Sequence, residues 1–436
     1  MRRFLVSFSG LILATLLSCG QNYKNNSKAS VLKEEISLGA WNAVRKAHQM
    51  TDLPICAHAT LYVNKNKTYS PGKEDKGLIY SSTREINTSV GQDVSFHTFM
   101  TALHNPKSLL YSEKINQPPY HGTNCRAYYG TVCSGLVTYA LGLKITLRTA
   151  DIPAADCFEL VEDQSANGVQ VADVLWNKGH VMLVTAVERN TDGRIGRIEY
   201  CESVETGARR CVLGDGAAFN KLLVRRKLKI YRYKELYKNV DYTPINEFVA
   251  VDGERKIPFK YNDDICTNKG DKACYITGEK VVLNVFGPYR QVEIYKDSTF
   301  YKKVNVDQNN DVILSDLPYG DYQARAVNGS SKSDDTRWKV IDVNVRIDRD
   351  KNRICFSSAN ATPVYYEFSD IAGNRPVNKV VHIYAAELTE EQVKDGYVTV
   401  MAPNKPTGKK TGNPYVKVHF ECDYGMVINK PLYWFK

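Results

Sequence analysis

The sequence predicts an α+β N-terminal domain followed by two all-β sandwich domains. Three patterns support this prediction: a helical apolar run at 136–143, a fully apolar strand run at 181–187, and short alternating strands from residue 281 onward. The chain has 436 residues, enough for several domains, and its 28 tyrosines are typical of β-rich proteins. The predicted boundaries are 33–240 for the α+β domain, 246–347 for the first sandwich and 348–436 for the second.

The N-terminus has the pattern of an export signal. Arg2-Arg3 precede an apolar run at 4–17, which is too short to span a bilayer comfortably. The run ends in Leu16-Leu17-Ser18-Cys19, which resembles the lipobox of bacterial lipoproteins. That resemblance implies a signal peptide at 1–18, lipidation of Cys19 and a flexible tether at 19–32. The protein is then expected in the cell envelope, anchored on the periplasmic or cell-surface side of a membrane. A plain secretory signal with an incidental cysteine is the alternative.

Composition narrows the classes of partner. The formal net charge is +10, but the basic residues are scattered, so we expect no nucleic-acid partner. A positive surface suits an acidic polymer such as a cell wall. There is no C-x-x-C pair and the eight histidines do not group, so we expect neither a metal site nor a cofactor. The oligomeric state does not follow from the sequence.

The 11 cysteines allow disulfides if the protein is exported. Cys266 and Cys274 flank a polar loop and form one candidate pair, and Cys201 with Cys211 forms another. Connectivity cannot be derived from the sequence.

Cys133 has a different context, because the apolar spacing at 136–143 predicts a helix that starts at Cys133-Ser134. A thiolate at a helix start is stabilised by unpaired N–H groups and by the helix dipole. Ser134 and Gly135 are small, which lets a substrate backbone approach. The pattern therefore indicates a nucleophilic thiol, and the alternative is an ordinary buried cysteine.

A histidine suited to act as the base lies on a predicted hairpin. Residues 169–176 are a predicted strand, 177–179 a turn, and His180 opens the buried strand 181–187. The third strand, 195–201, returns beside it after the turn signal at 190–193. A three-residue loop would place Glu202 on the His180 face, where it could orient the imidazole, whereas a two-residue loop would place odd-numbered residues there. We choose Glu202, with Glu199, Ser203 and Glu205 as alternatives.

The remaining elements are simpler. Helices are predicted at 38–48 and within 94–110, and a last strand of the α+β domain is predicted from Leu223-Val224 and 228–230. The second sandwich contains a helix-like insert at 389–394.

One segment indicates the type of sandwich. It is Leu317-Pro318-Tyr319-Gly320-Asp321-Tyr322, which resembles the L-x-x-G-x-Y hairpin of immunoglobulin-like and fibronectin type III-like domains. Both sandwiches are therefore expected to be immunoglobulin-like.

The motifs at 131–137 and at 172–184 together resemble the NlpC-type papain-like cysteine peptidases of bacterial cell walls and the related CHAP amidases. The resemblance covers 33–235 and implies a papain-like fold with Cys133 as nucleophile and His180 as base. Glu202 fits the acidic third residue of the CHAP branch. Val132 stands where the family usually has Asp, and Ala172 where it has Gly.

The resemblance also implies a substrate cleft. Gly77-Leu78-Ile79-Tyr80 resembles a family segment that lines it, so Tyr80, Tyr128 and Ser134 are predicted to bind substrate. The expected function is a lipid-anchored cysteine peptidase or amidase that hydrolyses an amide bond in peptidoglycan stem peptides. The alternatives are an amidase or acyltransferase acting on another envelope substrate, and a non-catalytic surface-binding lipoprotein.

Overall fold

The computed structural model describes residues 31–32, 36–64, 66–81, 88–112, 127–144, 146–236, 261–370, 382–405 and 413–435. The predicted signal peptide, Cys19 and most of the predicted tether lie outside these residues, as does the predicted boundary near 240–246.

Four of the helices in the described residues lie where the sequence predicts them, and the helix Gly216–Arg226 was not predicted. The first is N-capped by Ser37, whose hydroxyl accepts the Ala40 N–H at 3.1 Å, and it runs four residues beyond the predicted end at 48. The α-helices of the described residues are α1 Leu38–Asp52, α2 Phe96–His104, α3 Cys133–Ala140, α4 Gly216–Arg226 and α5 Glu390–Asp395.

The N-terminal domain is built on one large sheet with the order β10-β9-β8-β7-β11-β6, to which β1 adds beside the end of β8. Its strands and two small β-ribbons comprise β1 Val31–Leu32, β2 Pro54–Cys56, β3 Leu61–Asn64, β4 Lys67–Tyr69, β5 Glu74–Lys76, β6 Phe158–Leu160, β7 Val174–Asn177, β8 His180–Asn190, β9 Ile195–Val204, β10 Gly207–Leu213 and β11 Lys229–Tyr233. The last two residues of the predicted tether are therefore paired in the sheet rather than free.

Strand β8 is covered on both faces, as its apolar run predicts. Val181 and Leu183 pack in the core that contains α1 and α3, whereas Met182 and Val184 pack in the core that contains Phe219 of α4. Because side chains alternate along a strand, a central strand buried on both faces must be apolar throughout.

One sequence prediction about this domain is wrong. Leu223 and Val224 belong to α4, and only the later part of the predicted last strand is extended, as β11. Asp215 caps the helix by accepting the Ala218 N–H at 2.7 Å, and Lys227 ends it in a left-handed conformation with φ of 52°. The helical spacing of apolar residues upstream, starting at Phe219, was not recognised in the sequence.

The described residues from 261 onward form strands and, apart from α5, no α-helix, and they build two sandwiches with separate cores. The first pairs a sheet β12-β14-β17 with a sheet β13-β20-β18-β15-β16, and the second pairs β21-β22-β25 with β24-β23-β26-β27. The strands are β12 Ile265–Thr267, β13 Ala273–Ile276, β14 Val281–Val285, β15 Gln291–Lys296, β16 Thr299–Asn305, β17 Asp311–Leu314, β18 Gly320–Asn328, β19 Ser331–Lys332, β20 Thr336–Ile341, β21 Asn344–Asp348, β22 Arg353–Ser357, β23 Thr362–Asp370, β24 His382–Glu387, β25 Tyr397–Thr399, β26 Tyr415–Cys422, β27 Gly425–Ile428 and β28 Leu432–Tyr433.

The L-x-x-G-x-Y segment forms a tyrosine corner in the first sandwich. Tyr322 is 2% exposed and its hydroxyl donates to the Pro318 carbonyl at 2.7 Å, which ties the turn to the strand that follows. This hydrogen bond is a hallmark of immunoglobulin-like sandwiches. The predicted boundary at 348 is displaced, because β21 pairs with β22 and so belongs to the second sandwich from Asn344 onward.

The three domains are in contact. His97 Nε2 of α2 lies 2.7 Å from Asp271 Oδ2 of the first sandwich, and Asn105 Nδ2 donates to Asn284 Oδ1 at 2.8 Å. The Met426 N–H of the second sandwich donates to the Asp93 carbonyl at 2.9 Å. No helix among the described residues has the length and apolar character needed to cross a membrane.

Candidate active site

The Cys133 thiol lies on the first residue of α3. Val132 is extended, and the Leu136 N–H donates to its carbonyl at 3.0 Å, so the helix begins at Cys133. The first N–H groups of a helix have no acceptor within the helix and carry the positive end of its dipole. Cys133 is 6% exposed. The sulfur therefore lies in a nearly closed site whose backbone favours negative charge.

Small residues shape the first turn of this helix. A Cβ at Gly135 would lie 2.4 Å from Thr131 Oγ1, so only glycine lets the turn pack against the preceding segment. Ser134 is buried, and its carbonyl accepts the Thr138 hydroxyl at 2.8 Å. Ser134 is thus in the first turn beside Cys133, and its contact with substrate stays a prediction.

His180 lies at the start of β8, directly after a tight turn. Asn177 pairs with His180, and the Asn177 side chain accepts the Gly179 N–H at 2.8 Å, which fixes the turn. His180 Nε2 lies 2.8 Å from Glu202 Oε2, which leaves Nδ1 for the Cys133 thiol with which the ring interacts. A base held through one nitrogen and facing a nucleophile with the other is the arrangement that thiol catalysis needs.

The loop between β8 and β9 brings Glu202 to His180. The Asn190 N–H donates to the Arg194 carbonyl at 2.7 Å, which leaves a three-residue loop at 191–193. This is the alternative for which the sequence predicts Glu202 on the His180 face, and the contact between the two side chains is confirmed.

Two irregularities in the same strand pair preserve this placement. The pairing register of β8 with β9 shifts by one residue between residues 188 and 189, and it shifts again between 184 and 186. A shift of one residue turns a strand's side chains to the opposite face. Because the second shift reverses the first, Leu183 pairs with Cys201 and residue 202 stays on the face that carries Met182 and His180.

Glu202 is fully buried and bound by three cationic side chains. Besides His180, Arg209 donates to Oε1 from Nε at 3.0 Å and from a terminal nitrogen at 2.7 Å, and Arg226 donates to Oε2 at 3.1 Å. Burial alone would raise the pKa of this carboxyl, but the bonds to His180 and Arg209 lower it to about 2. Glu202 is therefore ionised, and these hydrogen bonds hold its carboxylate in position.

The thiol and the imidazole shift each other's pKa in opposite directions. Burial alone would lower the pKa of His180, but its bonds to Cys133 and Glu202 raise it to about 9. Burial alone would raise the pKa of the Cys133 thiol, yet the hydrogen bond and charge of His180 hold it below its ordinary value. These opposite shifts favour transfer of the thiol proton to the imidazole.

The segment after α3 covers the thiol. Thr149 Oγ1 lies 3.5 Å from Cys133 Sγ, and the Trp176 indole N–H donates to the Thr149 carbonyl at 2.6 Å. The hydroxyl can stabilise a thiolate, and the indole holds it there. Sequence reasoning missed Thr149, Arg209 and Arg226. Only Arg209 had a local signal, because the tight turn after β9 places it opposite Glu202.

The two tyrosines predicted to bind substrate lie in different places. Tyr80 bridges Thr131, and the Thr131 N–H donates to the Ile79 carbonyl at 3.0 Å, so this segment pairs with the residues just before Cys133. Tyr128 instead lines a cavity of about 140 Å³ at the junction with the first sandwich, where Cys133 and His180 are not among the lining residues. Its position gives the predicted substrate contact no support.

The alternatives to Glu202 have other partners. Glu199 lies 2.9 Å from His48 Nε2 and accepts the Thr185 hydroxyl at 3.0 Å. The Ser203 hydroxyl donates to the Thr131 carbonyl at 3.2 Å. Glu205 accepts from Asn66 at the end of the hairpin. None of these contacts involves the imidazole of His180.

Asp173, part of the histidine motif, has a structural role here. It is 1% exposed and accepts two hydrogen bonds from Arg232 at 2.8 Å, as well as the Gln170 N–H at 2.8 Å. Ala172 has a left-handed backbone with φ of 71°, which explains why a glycine suits this position in the resembled family.

Neither candidate cysteine pair is bonded. Cys274 lies next to Cys422, with the two sulfur atoms 3.0 Å apart, rather than next to Cys266. Cys201 pairs with Arg210 across the β9–β10 hairpin, so Cys211 is one position out of register and its side chain points to the opposite face.

Within the described ranges, no group of three or more His, Cys, Asp or Glu side chains is arranged to hold a metal ion.

No protein-family profile and no curated protein matches the chain. Among solved structures, the chain is similar to the CD2-binding domain of CD58 (lymphocyte function-associated antigen 3) at 8% identity, covering 36% of this chain and 94% of that one, with a TM-score of 0.17. It is similar to Clostridium thermocellum CbhA fibronectin(III)-like modules at 14% identity, covering 38% of this chain and 90% of that one, with a TM-score of 0.17. It is also similar to the human OSCAR ligand-binding domain at 9% identity, covering 39% of this chain and 96% of that one, with a TM-score of 0.17. These TM-scores are too low to carry an argument about function.

Proposed function

We propose that this protein is a papain-like cysteine hydrolase that cleaves an amide bond in peptidoglycan stem peptides. The observation that carries the proposal is the contact series from Cys133 at a helix start, through His180, to the buried anion Glu202. A histidine between a thiol and a carboxylate has one general use, which is to activate the sulfur as a nucleophile.

The chemistry follows from the geometry. The Cys133 thiolate attacks the carbonyl carbon of the substrate. The oxyanion that forms can accept hydrogen bonds from the unpaired N–H groups at the start of α3. The His180 imidazolium gives its proton to the leaving amine. Neutral His180 then takes a proton from water, whose hydroxyl attacks the thioester. Collapse of this intermediate releases the acid and regenerates the Cys133 thiolate beside the His180 imidazolium. Glu202 keeps the imidazole oriented and stabilises its positive charge throughout.

The choice of substrate rests on the sequence. The lipobox-like segment at 16–19 supports an anchor at Cys19 and a place in the cell envelope, where peptidoglycan is the abundant peptide amide. The net charge of +10 suits an anionic wall. The two sandwiches would then serve as spacers or wall-binding modules.

The test is mass spectrometry of purified peptidoglycan after incubation with protein from residue 20 onward, and with Cys133→Ala. New muropeptides with the wild type alone would support the proposal, and their masses would identify the bond. If neither protein changes the muropeptides while Cys133 alkylates rapidly, the substrate assignment fails and the thiol chemistry remains. Slow, alkali-dependent alkylation of Cys133 would instead favour the non-catalytic binding protein.

A further inference from the structure

Two cysteines from different sandwiches meet at the junction of the domains. Cys274 lies on β13 of the first sandwich and Cys422 is the last residue of β26 in the second. Their sulfur atoms are 3.0 Å apart, although 147 residues separate them in the chain (422 − 274 − 1). A disulfide has an S–S distance of about 2.05 Å, so closing the bond requires a movement of about 1 Å.

The contact belongs to a hairpin that touches both other domains. Cys422 pairs with Gly425 at the turn between β26 and β27, and we call residues 422–425 the clasp hairpin. Asp423 lies 3.2 Å from Lys339 Nζ of the first sandwich. Gly425 bridges Val94 of the N-terminal domain. The clasp hairpin is therefore one place where all three domains meet.

The backbone of the clasp hairpin already fits its neighbours closely. Gly425 has φ of 138°, and a Cβ there would lie 2.6 Å from the Asp93 carbonyl oxygen. The next N–H, that of Met426, donates to the same oxygen at 2.9 Å. Cys422 is thus presented to Cys274 by a turn whose position is fixed from the other side.

The two thiols differ in acidity. The hydrogen bond between them, together with burial, raises the pKa of the Cys274 thiol, whereas the same hydrogen bond lowers the pKa of the Cys422 thiol. Cys422 is therefore the thiol that more readily gives the thiolate, which is the form that attacks a disulfide. Both cysteines are partly buried rather than sealed in a core.

We propose that Cys274 and Cys422 form a disulfide that covalently joins the two sandwiches. The oxidant is a disulfide, either of a thiol–disulfide oxidoreductase or of a small molecule such as glutathione. One protein thiolate attacks it, forms a mixed disulfide and releases one thiol. The second protein thiolate attacks the mixed disulfide and releases the other thiol. Two electrons and two protons leave the protein, and one S–S bond replaces another.

The experiment uses the full chain from residue 20, treated with oxidised glutathione at neutral pH and then alkylated and digested with trypsin. Cys274 is the only cysteine of peptide 273–280, and Cys422 is the only one of peptide 418–436. We expect a linked species of these two peptides, two hydrogen masses below their sum, that disappears on reduction. Cys355→Ser is the matched control and should leave the link in place.

Cys422→Ser should abolish the linked species and leave Cys274 open to alkylation. If that variant does not fold, the wild type with and without reductant carries the test, and oxidation should raise the thermal midpoint by roughly 5–10 °C. The proposal is overturned if both cysteines alkylate fully after oxidation, or if Cys274 is linked to Cys266. These outcomes are independent of whether the protein is a hydrolase.

Discussion

Glu202→Gln is the most informative single substitution in the candidate active site. It keeps the shape of a fully buried side chain and removes the negative charge that His180, Arg209 and Arg226 share. The amide can still accept one hydrogen bond, so the geometry changes little. The electrostatics change strongly, because three cationic groups lose their only common partner among the described side chains.

The cost in stability follows from the exposure of the partners. Breaking a fully buried ion pair costs about 3–5 kcal/mol. The Arg209 and Arg226 side chains are 48% and 32% exposed, so water screens much of the charge they are left with. We therefore expect the free energy of unfolding to fall by about 1–3 kcal/mol.

The effect on the thiol is larger and more specific. An opposite charge in contact shifts a pKa by about 1–3 units, so without Glu202 the pKa of His180 falls from about 9 toward or below its ordinary value. The thiolate of Cys133 then loses its cationic partner. At pH 6.5 the alkylation of Cys133 should slow about tenfold or more, since each pKa unit changes the thiolate fraction about tenfold.

The assay is the rate of iodoacetamide incorporation into tryptic peptide 127–144, in which Cys133 is the only cysteine. Urea unfolding of the same samples measures stability. The matched control is Glu199→Gln on the same strand, since Glu199 is also buried and also pairs with a histidine, His48, at 2.9 Å. This control should lose a comparable amount of stability and leave the alkylation rate of Cys133 unchanged.

Equal alkylation rates for the wild type and Glu202→Gln at pH 6.5 would refute the reasoning, because the carboxylate would then not govern the charge state of the imidazole. A parallel loss of rate in both variants would also refute it, since the effect would then follow from loosened structure.

Three further predictions use other parts of the site. Gly77→Ala should destabilise the protein by about 2 kcal/mol or more, because φ at Gly77 is 91° and the added Cβ would lie 1.9 Å from the Ala208 carbonyl oxygen; urea unfolding measures it. Thr149→Val should slow alkylation of Cys133 severalfold at an unchanged thermal midpoint, because only the hydroxyl near the sulfur is lost; an unchanged rate would contradict this. The pKa of Glu202 is lowered to about 2 from an ordinary 4.5. The ionised carboxylate therefore stabilises the folded protein fully above pH 4.5, and this stabilisation is lost as the pH falls toward 2. The free energy of unfolding should consequently fall more steeply with acid in the wild type than in Glu202→Gln.

The sequence determined the elements that carry the chemistry. Apolar spacing after Cys133 predicted a helix that starts at this residue, and the apolar run after His180 predicted a buried strand that starts there. Both predictions depend on local periodicity, which one helix or one strand expresses by itself. The L-x-x-G-x-Y segment was recognisable by its resemblance to an immunoglobulin-like hairpin, and the hydrogen bond from Tyr322 to Pro318 within it is equally local, since it spans four residues.

Other features were decided only by the tertiary structure. The face on which Glu202 lies depends on a loop length and on two register shifts that cancel, and no local pattern records that cancellation. Arg226 comes from a helix that the sequence analysis missed, and it reaches Glu202 only because α4 packs on the sheet. Tyr128 lies five residues before the thiol, yet it lines the cavity at the domain junction.

The proximity of the cysteines also depends on the tertiary structure rather than on local sequence. Sequence spacing favoured Cys266 as the partner of Cys274, because a short polar loop joins them. The actual neighbour, Cys422, comes from another domain and is brought to 3.0 Å by the packing of two sandwiches. Local sequence specifies periodicity and turns, whereas the meeting of distant side chains depends on how buried surfaces fit together, and that is settled only when the whole chain has folded.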